Sequence, residues 1–294
     1  MKPPRFAYYD PASVAEAVEL KARFETDALV LAGGQSLMPM LNTRLAKPDA
    51  LVDINRITSL QQLEVGQTHV ELGALVRQHR LESDPVVARN VPLLAAVTHY
   101  IGHVENRHRG TVGGSLAHAD SAAELPTAAL TLDAEMVIEG PAGRRVEAAR
   151  DFFAGWMTTT IAPDELLVAV RFPITPAGAG WGFVEVARRE GDFALAAAAA
   201  QLRLDDAGRV AEIAIGVASV TDRPVRASET EAALLGRLPT ADAVAAAARA
   251  VEEQVTASDD LHATHSYRRH LAATVTQRAV LAAVRRAAQE GNRS

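Results

Sequence analysis

Two glycine pairs in similar settings constrain this chain more than any other feature of its sequence. The first pair lies in Gly33-Gly34-Gln35-Ser36 and the second in Thr111-Val112-Gly113-Gly114-Ser115. Glycine has no Cβ, so the backbone can bend to unusual φ values and direct successive N–H groups at one point. Each segment also leads toward a predicted helix, whose N-terminus favours an anion. Together they suit the two phosphates of a pyrophosphate, but ordinary tight turns explain the same glycines equally well.

The usual signatures of nucleotide binding are absent from the sequence. It contains no G-x-x-x-x-G-K-[ST] segment, and neither glycine pair lies in a G-x-G-x-x-G segment. These absences argue against a P-loop NTPase and against a Rossmann dehydrogenase. A G-x-S-x-G segment is also missing, which disfavours a Ser-His-Asp hydrolase.

Length and charge narrow the class of protein further. The 294 residues suit about two domains, and 48% hydrophobic against 22% charged residues is typical of a globular protein. Thirty basic and thirty-six acidic residues give a net charge of −6, and no run of Lys or Arg offsets it. Generic binding to nucleic acid or to an anionic membrane is therefore disfavoured.

The chain contains no cysteine. This excludes disulfides, zinc sites with thiolate ligands, a cysteine nucleophile and an iron–sulfur cluster held by this chain's cysteines. No apolar stretch reaches the ~18 residues that a membrane helix needs. The start, Met1-Lys2-Pro3-Pro4-Arg5-Phe6, has no apolar signal core. We therefore expect a cytoplasmic protein without membrane insertion.

The order of predicted elements indicates two lobes and a further domain. Residues 1–56 combine a helix capped by Ser13, a strand that stops at the first glycine pair, a helix over 37–45 and a strand over 51–54. Residues 57–176 mix strands and helices around the second pair, including helices over 92–101 and 122–132. The segment 173–180 is rich in Pro and Gly, which is typical of a linker. We therefore expect one domain over 1–176 and another over 177–294.

The alanine run over 196–200 favours a helix by propensity. A turn over 205–208 and an apolar run over 210–220 nevertheless predict a hairpin with it, so we expect a strand. Helices over 240–257 and 266–289 are predicted to follow.

Four histidines lie near the second glycine segment, at His99, His103, His108 and His118. The first two share a face if they belong to one helix, but no HExxH segment or cysteine supports a metal site. Capping, cofactor contact or packing explains them better. We expect no metal and no catalytic residue in this chain.

Asp120 and Glu124 form a carboxylate pair just after the second glycine segment. The sequence Ser121-Ala122-Ala123-Glu124 fits a capping box, while the two carboxylates also suit the hydroxyls of a ribose. Neither explanation requires acid–base catalysis.

The glycine segments belong to two longer motifs. The first comprises Ala32-Gly33-Gly34-Gln35-Ser36-Leu37-Met38-Pro39-Met40-Leu41 with residues 44–54, and the second runs from Ile101-Gly102-His103 through 107–120 to 122–126. Both resemble motifs of the FAD-binding medium subunit of molybdenum hydroxylases, of the carbon monoxide dehydrogenase and xanthine dehydrogenase type. Further similarity at 152–153, 163–167, 188–194 and 262–271 extends over nearly the whole chain.

The resemblance implies FAD as the cofactor, with both glycine segments holding its pyrophosphate mainly through main-chain amides. It implies that Asp120 and Glu124 lie along the ribityl and adenosine part, and that Leu167 lies near the flavin ring. Many relatives have a tyrosine beside that ring where this chain has Phe193, which can stack but lacks the hydroxyl. The residues implied to bind the cofactor are Ala32, Gly33, Gly34, Gln35, Ser36, Leu37, Ile101, Thr111, Val112, Gly113, Gly114, Ser115, Ala117, Asp120, Glu124, Leu167, Arg188 and Phe193.

The same resemblance implies an α+β fold and a role in electron transfer. The fold is a two-lobed FAD-binding domain of the vanillyl-alcohol-oxidase/PCMH type, with lobes of about 1–56 and 57–176, followed by a smaller α+β C-terminal domain. A large subunit oxidises the substrate at a molybdenum cofactor, and a small subunit with two [2Fe–2S] clusters passes the electrons to FAD for an external acceptor. A dimer of such heterotrimers is implied. The missing cysteines fit this division, since the clusters then lie on another subunit.

Two other functions remain open at this point. A self-sufficient FAD-dependent oxidoreductase of related fold needs a substrate pocket with its own base on this chain. A scaffold or regulator that has lost the cofactor tolerates bulky residues at the four paired glycines.

Overall fold

The first lobe of the computed structural model, which describes residues 2–256 and 258–291, is built on a parallel sheet of strand order β1-β3-β2. Ser13 caps the first helix as predicted, because its hydroxyl accepts a hydrogen bond of 3.2 Å from the Glu16 amide. The edge strand β2 leads directly into the first glycine pair. The elements are β1 (Ala7–Tyr9), α1 (Val14–Phe24), β2 (Ala28–Leu31), α2 (Leu37–Asn42) and β3 (Ala50–Asp53).

The second lobe is a five-stranded antiparallel sheet with helices packed on it. Its strand order is β4-β5-β10-β6-β7, so β10 lies in the centre and buries its first five residues. The strands are β4 (Leu63–Val65), β5 (His69–Gly73), β6 (Glu135–Gly140), β7 (Gly143–Ala148) and β10 (Leu166–Pro173), with a separate hairpin of β8 (Phe153–Gly155) and β9 (Thr158–Thr159). The helices are α3 (Gln78–Ser83), α4 (Pro85–Asn90), α5 (Pro92–Thr98), α6 (Val104–Arg109), α7 (Val112–His118), α8 (Glu124–Thr131) and α9 (Ala149–Phe152).

The C-terminal part is an antiparallel sheet of order β11-β12-β13-β14 covered by a long helix. The strands are β11 (Gly180–Ala187), β12 (Ala194–Leu204), β13 (Val210–Ala218) and β14 (Val225–Arg226). The helices are α10 (Ser228–Leu234), α11 (Ala241–Ala248), α12 (Val251–Gln254) and α13 (His265–Gly291).

Strand β12 confirms the strand predicted over the alanine run. Ala197 and Ala199 pack into the core of the second lobe, while Ala196, Ala198 and Ala200 pack into the core beneath α13. The strand is therefore buried on both faces, which outweighs the helix propensity of alanine.

Some helices differ from their predicted bounds. The helix predicted over 37–45 ends at Asn42, because Arg44 takes a positive φ of 59° and the Leu45 amide turns back to the Met40 carbonyl. The helices predicted over 92–101 and 122–132 are also shorter, at Pro92–Thr98 and Glu124–Thr131. The helix predicted over 240–257 is divided into α11 and α12, and residue 257 lies outside the described residues.

Across residues 2–256 and 258–291, no helix combines the length and apolar character needed to cross a membrane.

Candidate functional site

The two glycine segments meet between the two lobes. A Cβ placed on Gly33 would lie 2.5 Å from the Arg109 carbonyl oxygen and 2.9 Å from the Gly110 Cα. A Cβ on Gly113 would overlap Ala74, which directly follows β5. Both glycines are therefore required for close approach of one backbone to another.

The first glycine segment presents a row of unused main-chain donors. Within the part of the chain that the structure describes, no acceptor contacts the amides of residues 33–36. Gly34 adopts a φ of +73°, which turns the backbone between β2 and α2. The Ser36 side chain makes no capping bond to α2. These amides and the Ser36 hydroxyl are therefore available to an anion.

The second glycine segment is the first turn of α7 rather than a loop. Thr111 caps this helix through its hydroxyl, and the following amides are all used within the protein. Their bonds run from Val112 to the Val76 carbonyl (2.9 Å), from Gly113 to the Ala74 carbonyl (2.9 Å), from Gly114 to Thr111 Oγ1 (3.0 Å) and from Ser115 to the Thr111 carbonyl (3.1 Å). The expectation that both segments offer free amides is therefore wrong for residues 112–115 of the second segment, whereas the Thr111 amide has no acceptor among the described residues.

A groove of about 350 Å³ opens between the lobes at this junction. Its volume lies within the range of small-molecule sites, and apolar residues form most of its wall. Eleven of the sequence-predicted residues line it together: Ala32, Gly33, Gly34, Gln35, Ser36, Leu37, Thr111, Gly113, Gly114, Ala117 and Leu167.

Part of the groove is walled by apolar side chains of both lobes. We call this part the apolar compartment, and its residues are Leu29, Val30, Ile54, Ile161 and Leu166. Lys21 of α1, His118 and Glu165 supply charged or titratable groups to the same groove. None of these eight residues was among the sequence-predicted contacts.

The remaining predicted residues lie outside the wall of this groove. They are Ile101, Val112, Ser115, Asp120, Glu124, Arg188 and Phe193. Val112 and Ser115 belong to the first turn of α7. Phe193 is 69% exposed, which is unusual for a phenylalanine, and Arg188 bonds to Nδ1 of His262 at 2.8 Å. The structure therefore places eleven predicted contacts in the groove and leaves seven outside it, which range from the buried Val112 and Glu124 to the exposed Phe193.

The loop that carries Ile101 is fixed by Arg107. The Arg107 guanidinium donates to the carbonyls of Ile101 and Gly102, each at 3.1 Å, and also pairs with Glu82 at 2.9 Å. Glu82 in turn contacts His99 Nδ1 at 2.8 Å. The arginine thereby holds the backbone on which Ile101 is presented.

The predicted capping box at Ser121 is absent. Helix α8 begins at Glu124, its N-cap is Ala123, and Asp120 Oδ1 instead accepts from the Ala122 amide at 2.9 Å. Glu124 is buried, which raises the pKa of its carboxyl to about 7, with a smaller contribution from the charge of Asp120.

Glu185 of β11 is a second carboxyl with an unusual environment. Burial raises the pKa of Glu185 to about 8, and the nearby charge of Glu124 adds to the effect. In the described residues, its Oε2 atom is buried without a hydrogen-bond partner. Both carboxyls therefore hold their protons more strongly than ordinary glutamates do.

Asn55 and Arg77 connect the two glycine segments, and sequence reasoning missed both. Asn55 donates to the Ala32 carbonyl at 2.9 Å, and Arg77 donates to Asn55 Oδ1 at 2.7 Å and to the Arg109 carbonyl. Burial, together with the charge of Arg109, lowers the pKa of Arg77. Asn55 lies just after β3, beside the glycine pair that follows the neighbouring β2, and this shared sheet edge is the signal that could have identified it.

The predicted shared face of His99 and His103 does not form. His99 is the C-cap of α5, whereas His103 is the N-cap of α6. No group of three or more His, Cys, Asp or Glu residues suited to a metal ion occurs in the described ranges 2–256 and 258–291.

Comparisons with known proteins agree with this architecture. Residues 4–175 match the FAD binding domain in molybdopterin dehydrogenase, and residues 181–283 match the CO dehydrogenase flavoprotein C-terminal domain. The carbon monoxide dehydrogenase medium chain of Hydrogenophaga pseudoflava is 37% identical over 288 residues, which cover 98% of this chain and 100% of that one. The 6-hydroxypseudooxynicotine dehydrogenase complex subunit alpha of Paenarthrobacter nicotinovorans is 37% identical over 287 residues, covering 98% and 97%.

Solved structures give the same result. A chain of the carbon monoxide dehydrogenase from Hydrogenophaga pseudoflava that lacks the Mo-pyranopterin moiety superposes with a TM-score of 0.95 at 39% identity, covering 97% of this chain and 99% of that one. A chain of quinoline 2-oxidoreductase from Pseudomonas putida 86 superposes with a TM-score of 0.93 at 39% identity, covering 98% and 99%.

The fold and the groove together define a flavoprotein with a two-lobed FAD-binding domain and a smaller C-terminal domain. The chain belongs to the family of FAD-binding flavoproteins of the molybdopterin dehydrogenases, which are oxidoreductases. The predictions of family, α+β fold class and FAD as cofactor are confirmed. The donors also fit the group, since the free amides of residues 33–36 suit a pyrophosphate beside the apolar compartment.

Proposed function

We propose that this chain holds FAD at the junction of its two lobes and is the electron-transferring subunit of a molybdenum-containing hydroxylase or dehydrogenase. The free amides of residues 33–36, which face a groove closed by the second glycine segment, carry this proposal. Bound FAD supplies a ring system that accepts electrons singly and delivers them in pairs. The chain's own residues bind the cofactor, orient it and cover part of it.

The two ends of the cofactor have different surroundings in this proposal. The adenosine half enters the apolar compartment, where both lobes supply side chains. The flavin half extends toward Ile101, Arg188 and Phe193, and Asp120 and Glu124 lie along the ribityl part. The exposure of Phe193 supports this orientation, because the reactive ring has to be reached by an electron donor and an acceptor. The eleven groove residues and Val112 and Ser115 of α7 complete the proposed contact set.

The names of the relatives and the composition of the chain support a proposal for its partners. The relatives named above are a medium chain and a subunit of a dehydrogenase complex. We propose a large subunit with the molybdenum cofactor and a small subunit with two [2Fe–2S] clusters, assembled as a dimer of heterotrimers in the cytoplasm. Since this chain has no cysteine, it cannot supply the thiolate ligands of a cluster.

The proposed domains are 1–176, with lobes of about 1–56 and 57–176, and 177–294. The ranges of the two family matches, 4–175 and 181–283, support this division.

The cofactor and the partners are tested separately. Purified chain supplied with FAD is expected to retain one flavin per chain with an oxidised-flavin absorption spectrum. A chain that binds no FAD contradicts the proposal. Expression with a tag in the native host is expected to copurify a molybdenum subunit and an iron–sulfur subunit. Substrate turnover by the isolated chain would instead favour a self-sufficient oxidoreductase.

A further inference from the structure

Lys21 is an unusual cation in this molecule. The chain has three lysines, Lys2, Lys21 and Lys47, and the other basic side chains are arginines and histidines. Lys2 and Lys47 are exposed, whereas Lys21 is half-buried and lines the groove beside the apolar compartment. Lys21 lies in the last turn of α1.

Lys21 has no partner in the described ranges, where no hydrogen bond or ion pair of its ammonium group occurs. Asp164 acts on it only through a longer-range charge interaction, and burial lowers the pKa of Lys21. Glu165 also lines the groove, but its carboxylate is held by Arg145 through bonds of 2.7 Å and 2.7 Å. The third group, His118, lies in the last turn of α7 beside the glycine segments.

An unpaired, half-buried ammonium among apolar side chains is costly unless a ligand supplies acceptors. Leu29, Val30 and Ile161 line the same groove as Lys21, and their side chains suit the faces of a flat aromatic base. An adenosine moiety offers both a flat base and acceptors, at ring nitrogens and ribose hydroxyls.

We propose that Lys21 donates hydrogen bonds to the adenosine half of the cofactor and thereby makes this chain select FAD over FMN. This inference rests on the proposed function, since it presumes that FAD occupies the groove. Lys21 acts on the half of the cofactor that takes no part in redox chemistry, so its contribution is to affinity and selectivity rather than to electron transfer.

Lysine acetylation of the flavin-free chain tests the proposal with the protein as it is. Addition of FAD or ADP is expected to protect Lys21 from acetylation, whereas FMN is expected not to protect it. Lys2 and Lys47 are internal controls, because they are exposed and lie outside the groove. Modification at each lysine is read by mass spectrometry of peptides, so the test does not depend on enzyme activity.

A variant gives a second measurement. Lys21→Met keeps the length and the helix propensity of the side chain but removes the charge. It is expected to weaken binding of FAD and ADP by about tenfold, or ~1.4 kcal/mol, since hydrogen bonds to charged groups are stronger than those between neutral groups. Binding of FMN is expected to be unchanged, and Lys47→Met is the matched control with unchanged binding of all three.

The outcomes separate this inference from the proposed function. If FAD binds, as measured by quenching of flavin fluorescence, but Lys21 stays as reactive as before, the assignment of Lys21 is wrong and the proposed function stands. Protection by FMN equal to that by FAD also overturns the assignment, because it places Lys21 at the flavin half. If FAD does not bind at all, both proposals fail.

Discussion

Gly33 lies so close to Arg109 that a Cβ on the glycine would be 2.5 Å from the arginine's carbonyl oxygen. The nearest atoms, from Arg109 and Gly110, belong to the backbone and cannot rotate away as a side chain can. The distance between the first glycine segment and the loop before α7 is therefore set by the absence of a side chain at Gly33.

We expect Gly33→Ala to separate the two segments and to weaken FAD binding by at least about tenfold, or ~1.4 kcal/mol. Gly155→Ala is the control, because a Cβ there would meet only Asp222 Oδ2 at an ordinary 3.5 Å. Titration of flavin fluorescence measures both variants. Binding by Gly33→Ala at the strength of the unmodified chain would contradict the geometry described above.

Arg77→Met is expected to lower both stability and FAD affinity. The change leaves Asn55 Oδ1 and the Arg109 carbonyl without the guanidinium donor. Because the first bond is part-buried and the second is exposed, we expect the loss of each to cost about 0.5–1.5 kcal/mol. Arg77→Lys keeps the charge but not the two-pronged geometry, so we expect only partial recovery.

Thermal unfolding with and without FAD measures the effect at Arg77. Arg56→Met provides the comparison, because its ion pair with Asp10 is largely exposed and contributes little to stability. Equal losses in the two methionine variants would show that Arg77 does not connect the segments.

The raised pKa of Glu185 predicts that the stability of the folded chain depends on pH. Its pKa is raised from 4.5 to about 8 in the folded chain, so the folded state retains a proton that the unfolded state releases. The corresponding stability is complete below about pH 4.5 and is lost as the pH rises through about 8. Glu185→Gln keeps the shape without the charge, so we expect it to be more stable than the unmodified chain at pH 8 and similar to it at pH 5.

Melting temperatures between pH 5 and pH 9 check this expectation for Glu185. A difference of 1 kcal/mol corresponds to roughly 2 °C in a chain of this length. Glu64→Gln, on an exposed position of β4, serves as the control without a pH-dependent gain. An identical pH profile for Glu185→Gln and the unmodified chain would refute the prediction.

Phe193→Ala is expected to weaken the binding of a different set of ligands from Lys21→Met. Phe193 belongs to the proposed flavin half, so its loss weakens FMN and FAD alike, by about 0.5–1.5 kcal/mol for a lost stacking contact. Binding of ADP is expected to be unchanged. Leu261→Ala is the control, since this residue is 99% exposed and lies outside the proposed contacts. Fluorescence titrations with FMN and FAD, and competition by ADP, distinguish the two patterns.

Much of the first lobe was predictable because its signals are local. The Ser13 cap, the strand before Gly33 and the turn after it depend on residues next to one another in the sequence. The strand at 196–200 was predictable from its hairpin partner, although alanine alone favours a helix. The start of α7 was not, since its glycines suggested a loop and the helix is stabilised by the Thr111 cap together with carbonyls of the distant Val76 and Ala74.

The residues at the groove are likewise divided into those that the sequence predicts and those that it does not. The glycine motifs identified eleven of its residues, because those residues are contiguous in the chain or belong to the family pattern. Lys21, Asn55 and Arg77 carry no local pattern, and their roles depend on how α1, β3 and the turn after β5 pack around the groove. Such contacts depend on the packing of the two lobes, which a single sequence does not specify.

The alanines of β12 also restrict which amino-acid substitutions this strand can tolerate. Ala197 and Ala199 belong to the core of the second lobe, and Ala196 and Ala198 belong to the core beneath α13. At these positions β12 therefore contributes only a methyl group to each core. A larger residue at any of these positions adds volume to one of two close-packed interiors. Residues 196–199 are thus expected to tolerate only the smallest side chains, because a larger one on either face of β12 would push the C-terminal sheet away from the second lobe or from α13.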